Sequence, residues 1–139
     1  MAIPADQPAA SHAPGARPWW GVVATFFMIA VFAQSVFAGA MLSGFDWARM
    51  AHAANGLIVV VATFAAGLVA TFQLRRIRNG LKFGSTLLAL AAAAFVQFAL
   101  GRLAAKGANL MWVHVPLGVA LIALAGQAVA VARRLGAEE

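Results

Sequence analysis

Two histidines stand inside stretches that are otherwise almost free of polar residues: His52, in HAANGLIVVV, and His114, in HVPLGVALIA. An imidazole in apolar surroundings has two common uses. It bonds one helix to another, or it ligates a metal through a ring nitrogen. The two segments are alike. Gly56 follows His52 by four residues and Gly118 follows His114 by four, a spacing that puts each glycine on its histidine's face of a helix. Such a glycine opens a groove in which a flat macrocycle can approach the backbone. His52 lies 23 residues before Arg75 and His114 lies 19 before Arg133. As helices, both segments place their rings at similar depth, about 30 Å from the arginines. The preceding stretches carry a weaker echo, with Gln34 and Gly39 in FAQSVFAG and Gln97 and Gly101 in FVQFALG. The chain thus reads as two similar helical hairpins.

The other residue types narrow the chemistry. There is no cysteine, so thiolate metal sites, iron–sulfur ligation, thioether haem attachment and cysteine nucleophiles are excluded. Zinc needs three or four protein donors, and the apolar stretches offer two. The four acids, Asp6, Asp46, Glu138 and Glu139, all lie outside those stretches, which leaves no carboxylate for an ion or proton pump. No lysine lies within them to carry a Schiff base. Two opposed imidazoles suit the iron of one haem b, with His52 and His114 as axial ligands. Arg49, Arg102 and Lys106 fall near the same end, where they can pair with haem propionates. Gln34 and Gln97 are expected to face inward, since a bare amide in lipid is costly, and to accept a histidine ring N–H. The plainer alternative has the histidines bonding a carbonyl or a glutamine, so that they only hold helices together.

These residues need elements to position them. Hydrophobic residues make up 63% of the 139 residues and charged residues 10%, against about 25% charged in a soluble domain. Four charge-poor runs, roughly 18–45, 50–74, 83–101 and 107–132, are close to or above the ~20 residues that cross a bilayer as a helix. Runs such as LIVVVATFAAGLVA lack the alternation of a barrel strand. The fold class is therefore all-α: an up-down-up-down bundle of four transmembrane helices over 18–135, with a flexible polar tail at 1–17 and a short tail at 136–139. The polar start and the length of the first run argue against a cleaved signal peptide, and His12 reads as a solvated tail residue. Arg17, Arg75, Arg76, Arg78, Lys82, Arg133 and Arg134 fall on one side and Arg49, Arg102 and Lys106 on the other. The positive-inside rule then gives both termini in the cytoplasm of a bacterial inner membrane. It also accounts for the net charge of +6 without nucleic acid. Trp19 and Trp20 at one face, and Trp47 and Trp112 at the other, read as interfacial anchors. Pro116 reads as a first-turn residue. In such a bundle the second and fourth helices are diagonal, spaced to hold one iron between them.

Histidines on the second and fourth helices near the outer face, together with QSVFAGAMLSG, resemble one half of a haem A synthase, a family of two fused four-helix halves. The resemblance implies that His52 and His114 are axial ligands. The sequence also departs from that family. The first outer loop is short, with Asp46 its only acid, the cysteine pair is missing, and Ala53 stands where an arginine often follows the first histidine. The synthase reaction is therefore not expected of this chain alone. The expected function is that of a b-type cytochrome, either transferring electrons to a membrane redox partner or serving as a haem-bearing subunit of a larger complex. A cofactor-free accessory subunit is the alternative, and a homodimer that pairs two halves remains open.

Overall fold

The computed structural model describes residues 16–136. Four helices account for nearly all of them: α1 (Ala16–Leu42), α2 (Asp46–Leu74), α3 (Gly80–Ala104) and α4 (Met111–Arg133). Each is long and apolar enough to cross a membrane. In hydrocarbon every backbone N–H and C=O must be satisfied within the segment, which a helix does. The chain is a multi-pass membrane protein. The expected N-terminal tail lies outside the described residues except for Ala16 and Arg17, which open α1.

Short connections force neighbouring helices to be antiparallel. The α1–α2 link is residues 43–45, and its reversal uses Gly44 at φ 87°. A turn at Asn79, in the left-handed region at φ 61°, leads into α3, and the Asn79 amide donates to the Arg134 carbonyl at 3.0 Å. The α2–α3 turn is thereby tied to the end of α4. Helix α1 packs on α2 and α4, and α3 packs on the same two. The diagonal pairs, α1 with α3 and α2 with α4, have no backbone contact among the described residues. This is the up-down-up-down four-helix bundle.

Packing differs sharply between the two ends. At the arginine end small residues bring the backbones together. A side chain at Gly67 would meet Leu88 at 2.9 Å, and one at Gly84 or Gly80 would collide with Thr71 or the Leu74 carbonyl. Phe83, Leu74, Leu87, Leu90 and Thr63 are fully buried there. Trp20 is only 4% exposed and packs edge-to-face on Phe83, with ring centroids 5.6 Å apart. It is a core residue, not the interfacial anchor expected from sequence. Its α1 position faces α3 across the bundle, whereas Trp19, Trp47 and Trp112 are exposed. At the histidine end, over 32–42, 46–58, 95–104 and 111–120, Ala48 is the one fully buried residue among those described. Inward-facing side chains there are only half-buried.

Candidate functional site

The half-buried region is built around the two histidines. His52 and Leu121's counterpart Val59 are seven residues apart on α2, and His114 and Leu121 are seven apart on α4. Two helical turns therefore separate each ring from the nearest core-cluster residue below it on its helix, and the rings stand level. From diagonal helices they face each other across the bundle axis, with centroids 6.4 Å apart and planes at 61°. With each ring nitrogen about 1.2 Å from its ring centre, the facing nitrogens cannot come closer than about 4 Å, which is too far for a direct hydrogen bond. Among the described residues no third histidine, acid or cysteine joins the pair.

His52 Nδ1 lies 3.2 Å from the backbone carbonyl of Gln34 on α1. A carbonyl only accepts, so Nδ1 carries the proton and donates it, which leaves a lone pair on Nε2. Three residues on, Asn55 donates to the Ala30 carbonyl at 2.8 Å and adds a second tie between α1 and α2. His114 lies against Gly101 of α3. A side-chain carbon at 101 would stand 2.9 Å from its Cε1. Its ring lies at the Gln97 backbone carbonyl of α3, much as His52 lies at that of Gln34, although its buried Nδ1 makes no hydrogen bond of good geometry.

Both glutamines point into the bundle, but they act otherwise than expected. Neither side-chain amide accepts a ring N–H. The Gln97 amide donates to the backbone carbonyl of His114 at 2.8 Å, crossing α4 at Gly118, where an added carbon would meet it at 3.1 Å. Gln34 crosses α2 at Gly56 in the same way, at 2.7 Å. The two glycine notches therefore seat glutamines at the α1–α2 and α3–α4 seams, instead of lying open beside the rings. The physical reason is reach: the glutamine amide nitrogen, three bonds beyond Cβ, fills a notch on the adjacent helix. The side-chain oxygens of Gln34 and Gln97 are buried and unpartnered.

Pro116 also departs from expectation. Helix α4 begins at Met111, so the proline lies in its second turn. Its missing N–H deprives the Trp112 carbonyl of its i+4 donor, just ahead of His114. Arg49, Arg102 and Lys106 are all exposed at this end, and none has an ion pair among the described residues. Asn55 and Gly101 were the site residues hardest to assign from sequence. Asn55 is signalled only by being an amide within an apolar run, and Gly101 only by its place in the repeat.

Set against protein-family models, curated proteins and solved structures, the chain matches none of them.

Proposed function

We propose that the chain is a b-type haem protein of the bacterial inner membrane, with His52 and His114 as the two axial ligands. The separation of the rings carries this reading. Two imidazoles that share one ion, with nitrogen–metal bonds of about 2 Å and ring radii of about 1.2 Å, have centroids about 6.4 Å apart. The observed centroid distance is 6.4 Å. A donor set of two imidazoles and nothing else is that of a six-coordinate haem, and is too small for a structural zinc ion. A haem would supply one-electron chemistry here. His52 is prepared for ligation, because its proton is committed to the Gln34 carbonyl. Gln34 and Gln97 are drawn into the helix seams at Gly56 and Gly118 and not onto the rings. Arg49, Arg102 and Lys106 offer cations to propionates at the outer surface, and the seven basic residues at the other end set the cytoplasmic side.

A site at one end of the bundle does not carry electrons across the membrane alone, so a redox partner or a larger complex is implied. Its resemblance to half of a haem A synthase suits such a role without the synthase reaction. The test is optical. The chain purified in mild detergent after expression with ample haem should show a sharp α-band on reduction. His52→Ala and His114→Ala should each remove that low-spin signal. A colourless protein that co-purifies with a defined membrane complex would favour a cofactor-free accessory subunit.

A further inference from the structure

Two grooves run along the outside of the bundle, and only one of them ends at a charge. The first lies between α1 and α4. It has a volume of about 510 Å³ and is walled by Pro18, Val22, Phe26 and Ile29 of α1 and by Val129 and Arg133 of α4. The second lies between α2 and α3. It is nearly as large, at about 490 Å³, and is walled by apolar residues alone, among them Phe64, Leu68, Leu88 and Phe95. We infer that the α1–α4 groove is a binding site for an anionic phospholipid, with one acyl chain laid along α1 and the phosphate paired with Arg133, whether or not the chain carries haem.

The groove has the shape of one acyl chain of one leaflet. Pro18, Val22, Phe26 and Ile29 follow one another at three- and four-residue spacing, which makes them a single stripe on α1. From Pro18 to Ile29 the helix rises by about 16 Å, close to half of the ~30 Å hydrocarbon core. Val22, Phe26 and Ile29 are 60%, 57% and 59% exposed, so the described residues leave the stripe open. Gly21 lines the groove as well, and a carbon added there would meet nothing within 4 Å. Thr25 is the remaining polar residue in the wall, and its hydroxyl donates to the Gly21 carbonyl at 2.8 Å. Arg133 is thus the one donor the groove offers a ligand.

Charge and depth set the headgroup end. Arg133 is exposed, stands in the last turn of α4 and has no ion pair among the described residues. Asp46, the one acid among those residues, is at the opposite end of the bundle, where α2 begins. Trp19, exposed next to Pro18, carries the amphipathic ring that settles at a membrane–water interface. A guanidinium at that depth, at the mouth of an apolar groove, meets the phosphate of a lipid whose chain fills the groove, and the bond is charge-assisted and can be bidentate. A zwitterionic lipid brings its own cation beside the phosphate, so net charge decides between the two. One arginine near the surface favours the anionic lipid by about fivefold.

The experiment uses the full chain purified in mild detergent. Dioleoyl phosphatidylglycerol and dioleoyl phosphatidylcholine, which share their chains, are added in turn, and retained lipid is counted by native mass spectrometry. The wild type should hold phosphatidylglycerol about fivefold or more in preference to phosphatidylcholine. Arg133→Gln should abolish the preference. Arg76→Gln removes an exposed cation from the α2–α3 turn at the same end and should leave the preference intact. Gly21→Leu should fill the groove and release the lipid, whereas Ala92→Leu, in the α2–α3 groove, should not. Since Gly21→Leu can fail for reasons of folding, the wild-type comparison and the exposed Arg133 position stand by themselves. Equal retention of the two lipids by the wild type overturns the inference. So does an equal loss of preference in Arg133→Gln and Arg76→Gln, the mark of a diffuse attraction to the basic end. A lipid-free dimer that Gly21→Leu dissociates would put a second copy of the chain in the groove and overturn it as well.

Discussion

Substituting Gly101 by alanine tests the geometry around His114 without touching either histidine. The added carbon would stand 2.9 Å from Cε1, 3.5 Å from Nδ1 and 3.6 Å from Nε2 of the ring. Carbon–carbon contact is comfortable at about 3.5 Å or more, so the ring must move by about 0.6 Å. The neighbour is a side chain and can yield, but yielding changes its placement relative to His52, whose ring centroid is 6.4 Å away. Overpacking of this size costs about 1–3 kcal/mol, which is about a 5- to 150-fold change in an equilibrium at 1.4 kcal/mol per factor of ten. On the proposed haem reading the equilibrium affected is His114 ligation, and the ferric protein should shift visibly from low-spin to high-spin. Gly39→Ala is the matched control. Gly39 holds the equivalent place in the first hairpin, yet nothing lies within 4 Å of an added carbon there. It should leave the spectrum unchanged and add about 0.5–1 kcal/mol of helix stability. A Gly101→Ala protein with an unchanged spin state, or a Gly39→Ala protein with an altered one, would refute the reasoning.

Other substitutions separate packing from the site. Gly80→Ala should be strongly destabilising, lowering the midpoint of thermal unfolding in detergent, because its new carbon collides with the Leu74 backbone carbonyl, which cannot swing aside. Asn55→Leu removes the bond to Ala30 and should cost about 0.6–1.7 kcal/mol, the range of interhelical bonds in membranes, with a larger loss of haem retention than of fold. Thr63→Val should be nearly neutral in the same unfolding assay, since Thr63 bonds only carbonyls of its own helix, those of Val59 at 2.5 Å and Val60 at 3.3 Å. The chain has no cysteine, so single cysteines at Ala108 and Arg76 give a clean topology assay. A membrane-impermeant thiol reagent added to spheroplasts should label Ala108→Cys and leave Arg76→Cys unlabelled.

Much of the fold was legible because lipid imposes simple rules. Charge-poor runs long enough to span gave the four helices, and short links between them gave the antiparallel bundle with α2 and α4 diagonal. The structure also brings His52 and His114 opposite each other across the bundle axis, 6.4 Å apart. What sequence did not show follows from rotation and reach, which hydrophobicity does not encode when nearly every residue is apolar. Trp20 and Trp19 are adjacent and alike, yet one turns into the core against Phe83 and the other out. Gln34 and Gln97 were placed in the interior correctly, but their partners depend on which seam each amide can cross. Gly56 and Gly118 looked like openings beside the rings, and they are seats for those amides. Pro116 fell in the second turn of α4 because the helix starts at Met111, before any capping side chain signals it. The contrast between a closed arginine end and a half-buried histidine end arises only when four faces are assembled.

The most direct test of the central claim is the haem content of the purified wild-type chain, measured as haem b per polypeptide together with the ferric low-spin signal. One haem b per chain, low-spin in both oxidation states, is the expected result. Protein that stays folded and monodisperse yet carries no haem after expression with ample supply would contradict it.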